Sequence, residues 1–340
     1  MGNKQEKMTD AALEALKYIF NATQNDKALI LTDAYSQNIA NAFLGALEQL
    51  KCTADTYLIE EKMRPLKEIP AELEKFLLEK TIVLNIIRAF PEEIPFRIKW
   101  LFKVEENNEV RTGHMPGITE DMMLNSVNVD FSRMSLNAKR LKIGLENAEQ
   151  LHITTPEGTD ISLGVKDRKF TSDIGTEETK TCNIPCGEIY CAPEETRAEG
   201  VVVFNASIGD IGMLKSPLRV FVHEGRITKF ESDDNDLVRR IDLLSGVDEE
   251  AKVIGELGIG LNPGARITGN MLEDEKAMST AHIAFGNNED FPGGKNKSHI
   301  HRDYLFFRPT IEVKYKNGSK KLLVNEGGII PLEFKTILDF

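Results

Sequence analysis

Ala28-Leu29-Ile30-Leu31-Thr32 is a short, charge-free run of the kind that forms a strand buried on both faces. Two more runs follow it, Thr56-Tyr57-Leu58-Ile59 and Thr81-Ile82-Val83-Leu84-Asn85-Ile86-Ile87. Between the first two, Ile39, Ala42, Phe43, Ala46, Leu47 and Leu50 recur at helical spacing, and Ala71 to Glu79 reads as a helix before the third. Another helix, Asp10 to Phe20, precedes them all. This βαβαβ order predicts a parallel sheet with right-handed crossovers. Residues 1–130 are therefore read as an α/β, Rossmann-like scaffold domain. The loop after the first strand, Thr32-Asp33-Ala34-Tyr35-Ser36, has no glycine fingerprint, which argues against a dinucleotide site. Ser36 or Asp33 is expected to cap the next helix.

Beyond this point the pattern changes. Met134, Ala138, Leu141, Leu145 and Ala148 form a stripe that predicts a connecting helix from about Asp130 to Glu149. Apolar runs then come in pairs. Leu151–Thr155 and Asp160–Val165 flank Pro156-Glu157-Gly158-Thr159, and Leu218–Val222 and Arg226–Phe230 flank His223-Glu224-Gly225. Ile311–Tyr315 and Lys321–Val324 flank Lys316-Asn317-Gly318-Ser319. Paired runs around turn residues predict hairpins. Residues 131–340 are read as a mainly antiparallel, α+β catalytic metal-binding domain with one helix from about Leu272 to Thr280.

A net charge of −12 argues against nucleic acid, because phosphate neutralisation needs clustered Lys and Arg. No apolar run reaches the length of a membrane span. Met1-Gly2-Asn3-Lys4-Gln5-Glu6 has no apolar signal core, and Glu6 spoils a myristoylation pattern, so the expected location is the cytoplasm. Cys182, Cys186 and Cys191 cluster without a Cys-x-x-Cys pair and, with Cys52, are read as reduced packing residues.

The chemistry is expected in the second half. In Ser298-His299-Ile300-His301-Arg302-Asp303, side chains at i, i+2 and i+4 of a strand would present His299, His301 and Asp303 on one face. His282 interrupts the small apolar strand Ala281–Gly286. Glu256 is the only ionisable group in Val253–Gly260, and Glu188 stands in a run almost free of charge. Alone, Glu188 reads as solvent-facing or paired with an arginine, and His282 as a hydrogen-bonded core residue. Together, buried carboxylates need a cation or strong donors to compensate them, and imidazoles with carboxylates are the donor set of a divalent ion. His114, His152 and His223 are read as surface residues, and Glu273, Asp274 and Glu275 as a solvated helix face.

These pieces resemble the metallo-aminopeptidases typified by aminopeptidases T and S. The similarity is carried by Lys139-Arg140-Leu141, Thr154–Asp160, Asn183-Ile184-Pro185-Cys186-Gly187-Glu188, Ala198-Glu199-Gly200-Val201 and Gly255-Glu256-Leu257-Gly258. It continues through Leu272–Glu275 and Ala281–Ala284 to His301-Arg302-Asp303. The resemblance implies a binuclear metal centre held by Glu188, Glu256, His282, His301 and Asp303, with Zn, Co or Mn as the ion. Glu256 would lie closest to the attacking water, the substrate would be a small peptide or other small molecule, and the assembly a homodimer. Glu289 stands where that family carries a tyrosine seven positions after the histidine. The chain also looks similar to Fe(II) dioxygenases that open dihydroxypyridine rings, in which His282, His301 and Asp303 would hold one iron. A metal-binding protein without peptidase activity is the third reading.

Overall fold

The computed structural model describes residues 2–331, which divide into two compact units. The first comprises the described residues through Phe131 together with Asp173–Cys186 and Pro263–Ala265. The second comprises Ser132–Ser172, Gly187–Asn262 and the described residues from Arg266 onward.

The first unit is built on a parallel sheet ordered Thr53–Ile59, Lys27–Asp33, Ile82–Ile87, Arg111–Pro116 and Thr181–Asn183. Ile82–Ile87 is buried along its whole length, and Lys27–Asp33 everywhere except Lys27, as the uninterrupted apolar runs require. Helices cover this sheet. Met8, Ala11, Ala12, Ala15, Leu16 and Ile19 bury one stripe of the helix Gly2–Phe20, which starts well before the expected Asp10. Leu29, Val83, Phe96, Trp100 and Val104 belong to one apolar cluster. The strand Thr181–Asn183 comes from far along the chain, so the sheet's edge could not be read from the first 130 residues. His114, expected at the surface, lies on Arg111–Pro116 and is only partly exposed, with Asn85 Nδ2 3.5 Å from its Nδ1.

The second unit carries two antiparallel sheets. One runs Arg226–Glu231, Leu218–His223, Ala198–Phe204, Asp160–Gly164, Ala148–Thr154, Thr310–Tyr315, Lys320–Asn325 and Gly328–Ile329, and contains all three expected hairpins. The connecting helix ends at Leu145, earlier than its stripe suggested. Asn147 takes a left-handed conformation (φ 58°), and Ala148 already belongs to a strand. In the other sheet, Gly212–Met213, Ser207–Ile208, β4 (His301–Phe307), β3 (Thr280–Gly286), β2 (Ile254–Gly260) and β1 (Glu188–Cys191) lie side by side. The expected helix from Leu272 is a single turn, Met271–Asp274. Its acids are not solvated: Glu273 and Asp274 are buried, and Asp274 accepts hydrogen bonds from the backbone of Thr268 and Gly269.

Among the described residues no helix is long and apolar enough to cross a membrane.

Candidate metal centre

Register explains how distant segments converge. On β1, Glu188 and Tyr190 share a face, opposite Gly260 and Gly258 of β2. Gly258 faces His282 on β3, while Glu256 faces Ala284, which in turn faces Asp303 on β4. Gly286 pairs with His301. Each donor-bearing residue thus has glycine or alanine across the sheet on at least one side, although His282 also pairs with Leu305 on β4, and the small residues leave room for the large ones. At Gly258 this is a strict requirement, because a Cβ there would stand 2.0 Å from Cε1 of His282. The imidazole lies directly over the glycine.

On that face the ionisable groups meet. His301 Nε2 is 2.9 Å from Glu256 Oε2 and 3.4 Å from Asp303 Oδ1. His282 Nε2 is 3.5 Å from Glu256 Oε1 and 3.7 Å from Glu188 Oε2. Glu256, His282 and Asp303 each offer a donor atom, and these lie within 4.8 Å of one another, a span one cation can bridge. Nδ1 of His301 sits 2.7 Å from the Asn287 carbonyl, which can only accept, so Nδ1–H donates and Nε2 is turned toward the carboxylates.

Compensation at the cluster is incomplete. Buried Glu188 Oε2, His282 Nδ1 and Asp303 Oδ1 make no hydrogen bond. Burial pushes Glu188 up to about 8 against the pull of Lys276, and burial likewise raises Glu275. For Glu256 burial works upward too, but hydrogen bonds and charge from His282 and His301 outweigh it and hold the carboxyl well down. The imidazoles move the other way: burial disfavours their charge, yet Glu256, Glu188 and Asp303 lift His282 to about 9. Asp303 and Glu256 raise His301 well above its ordinary value. Protons gather where a cation's charge is wanted. Orphaned oxygens, mixed imidazole and carboxylate donors and a charge deficit together fit a divalent ion.

The five expected ligands therefore share one face. His299 does not join them; it precedes the strand, is exposed, and its backbone N–H bonds Asp248. Glu289, where the resemblance calls for tyrosine, is exposed and pairs with Lys297 at 2.6 Å. The rings of Tyr190 and Phe291 lie 5.2 Å apart with their planes tilted by 51°, and Phe291 meets the His301 ring edge-on at 5.5 Å, giving the site an aromatic side. All four cysteines are free and buried, and burial pushes the Cys191 thiol up, as suits a packing residue.

Two features escaped the sequence. Lys276 is fully buried, with Nζ 2.5 Å from Glu188 Oε1 and 2.8 Å from Glu275 Oε1. No pattern distinguishes such a lysine from a surface one. Asn288 and Asn296, both buried, stitch the Asn287–Lys297 loop to Gly255 and Gly286. Their polar type inside a glycine-rich loop gave no sign of burial.

A profile of the thermophilic metalloprotease family (M29) matches residues 130–328. Aminopeptidase T from Thermus thermophilus is 29% identical over 216 residues, covering 56% of this chain and 50% of that protein. Aminopeptidase T from Thermus aquaticus is 28% identical over 216 residues, covering 56% and 52%. The chain spans about half the length of the curated relatives it matches. Two solved structures share the fold over 96% of the chain. One is 2,5-dihydroxypyridine dioxygenase from Pseudomonas putida, with a TM-score of 0.73, 19% identity and 97% of that chain covered. The other is wild-type AmpT from Thermus thermophilus, with a TM-score of 0.71, 14% identity and 99% covered.

Proposed function

The chain belongs to the thermophilic metalloprotease (M29) family, and on that premise we propose that it is a metal-dependent aminopeptidase acting on small peptides. The observation that carries this reading is the convergence of Glu256, His282 and Asp303 donor atoms within 4.8 Å, with His301 Nε2 against Glu256. Glu188, Glu256, His282, His301 and Asp303 are proposed as the ligands of a divalent centre taking Zn, Co or Mn. Glu256, His282, His301 and Asp303 would hold an ion, and if the pair of ions that the resemblance implies were present, Glu188 would be the remaining donor for the second. A divalent ion held there would supply Lewis acidity and a water of lowered pKa.

The chain's own residues do the rest. Glu256 is the proposed general base, since its two oxygens face both imidazoles and it stays ionised despite burial. His301, fixed through Asn287, keeps Nε2 aimed at that carboxylate. Unspent carboxylate charge suits the α-ammonium of a peptide N-terminus, and Phe291 with Tyr190 excludes water from one side.

We further propose a scaffold role for residues 1–130 and a catalytic role for the remainder, a homodimer in the cytoplasm, and no nucleic-acid or membrane partner. Purified protein tests the main reading. Stoichiometric divalent metal and hydrolysis of aminoacyl amides, both lost on chelation, are expected. Bound metal with no hydrolysis across an aminoacyl panel would leave a binding protein instead.

A second reading rests on His282, His301 and Asp303, which offer the two-histidine, one-carboxylate set of an Fe(II) oxygenase. Oxygen uptake with a dihydroxypyridine, dependent on iron and indifferent to Glu188, would favour it.

A further inference from the structure

Lys276 is the one fully buried ammonium that the cluster contains, and it occupies Glu188. Its Nζ lies between Oε1 of Glu188 and Oε1 of Glu275 and spends one of the two Glu188 oxygens. The other oxygen, Oε2, is left without a hydrogen bond and faces His282. Glu256, His282, His301 and Asp303 have no such competitor among the contacts described for them.

We infer that Lys276 stands in for a second metal ion, so that the working centre holds a single divalent ion on Glu256, His282, His301 and Asp303. This rests on the metal-centre reading above. A second ion could reach Glu188 only by displacing the ammonium or by settling beside it. A carboxylate-bound ion sits about 2.0–2.2 Å from its oxygen. With Nζ 2.5 Å from Glu188 Oε1, ion and ammonium would be close like charges in a poorly solvated pocket. Displacement is no easier, because the departing lysine would be a buried cation stripped of both carboxylates.

The test is metal counting on the full chain, stripped with chelator and titrated with Mn(II) alone. Equilibrium dialysis with elemental analysis gives the stoichiometry, and electron paramagnetic resonance distinguishes an isolated ion from a coupled pair. Wild type is expected to bind one ion, with a six-line uncoupled spectrum, and to take up a second at least about 100-fold more weakly. In Lys276→Met the second affinity should rise by about 100-fold and a coupled spectrum should appear, whereas Lys276→Arg should keep the single-ion pattern. Two ions of similar affinity in wild type overturn the inference without reference to any variant. So does a folded Lys276→Met whose second affinity is unchanged. Absence of even one ion would instead defeat the metal-centre reading itself.

Discussion

Both units bury carboxylates, and they neutralise them by different means. In the parallel-sheet unit, Arg64 contacts Asp33 and Glu93 with two guanidinium nitrogens, and its side chain is 4% exposed against 0% for both acids. Asp33 also accepts from the backbone N–H groups of Ser36 and Arg88. Burial alone would raise this carboxyl, but those N–H groups and Arg64 outweigh it and hold it below its usual range. Fixed donors that cannot lose their charge meet nearly every lone pair. In the antiparallel unit, Glu188, Glu256 and Asp303 face imidazoles and one ammonium, and oxygens of Glu188 and Asp303 are left over. A closed ion pair is architecture. An open one leaves room for a cation.

The contrast can be broken most sharply at His301. Replacing it with Ala should lower hydrolysis by at least roughly 10³-fold and empty the centre, measured as kcat/KM and as metal per chain. Full metal content in that variant would remove the ligand assignment. Because the sole tryptophan, Trp100, is buried in the parallel-sheet unit and donates to Asn85 at 2.7 Å, its fluorescence reports that unit alone. It should be unchanged in the His301 variant.

The reverse experiment is Arg64→Met. Leaving Asp33 and Glu93 buried without their guanidinium should destabilise the first unit by roughly 3–5 kcal/mol. The effect would be seen as a lower midpoint in denaturant by Trp100 fluorescence, with metal stoichiometry intact. A smaller perturbation, Gly258→Ala, tests the architecture of the centre. Its Cβ would meet the His282 ring at 2.0 Å, so metal affinity should fall roughly 10- to 100-fold while the Trp100 midpoint stays put. Unaltered affinity would mean that His282 is not a ligand.

Acid sensitivity offers the gentlest probe. Asp33 titrates lower in the folded chain than in the unfolded one. Its contribution is therefore complete above the unfolded value near ~3.9 and is lost as pH falls through the folded value. Wild type should lose more stability than Asp33→Asn as pH falls below about 4, read again from Trp100. Parallel curves would show that Asp33 is not held below its ordinary value in the folded chain.

The same contrast governs how much could be read in advance. The strands Lys27–Asp33 and Ile82–Ile87 were visible because a strand buried on both faces must be apolar throughout. The buried pairing of Asp33 has no local signature, and the sequence suggests for it, or for Ser36, only a helix cap. Asp33 does accept from the Ser36 backbone, but it also receives Arg64 from a distant turn. Ser36 itself makes no capping hydrogen bond. In the antiparallel unit Glu188 and Glu256 stood out because a lone charge in an apolar run is costly to bury. Glu273, Asp274 and Glu275 show the opposite case, since neighbouring acids look like a solvated face until the chain folds back on them.

Sequence alone therefore determined the alternation of strands and helices that opens the first unit, the hairpins of the second, and which residue types could bind a cation. These follow from local periodicity and from the expense of isolated charge. Tertiary structure decided which donors share a face, that His299 stands apart, that Gly258 makes room for His282, and that Lys276 reaches Glu188 from 88 positions away. Those outcomes depend on cross-strand register and on burial, and neither is a property of any segment by itself.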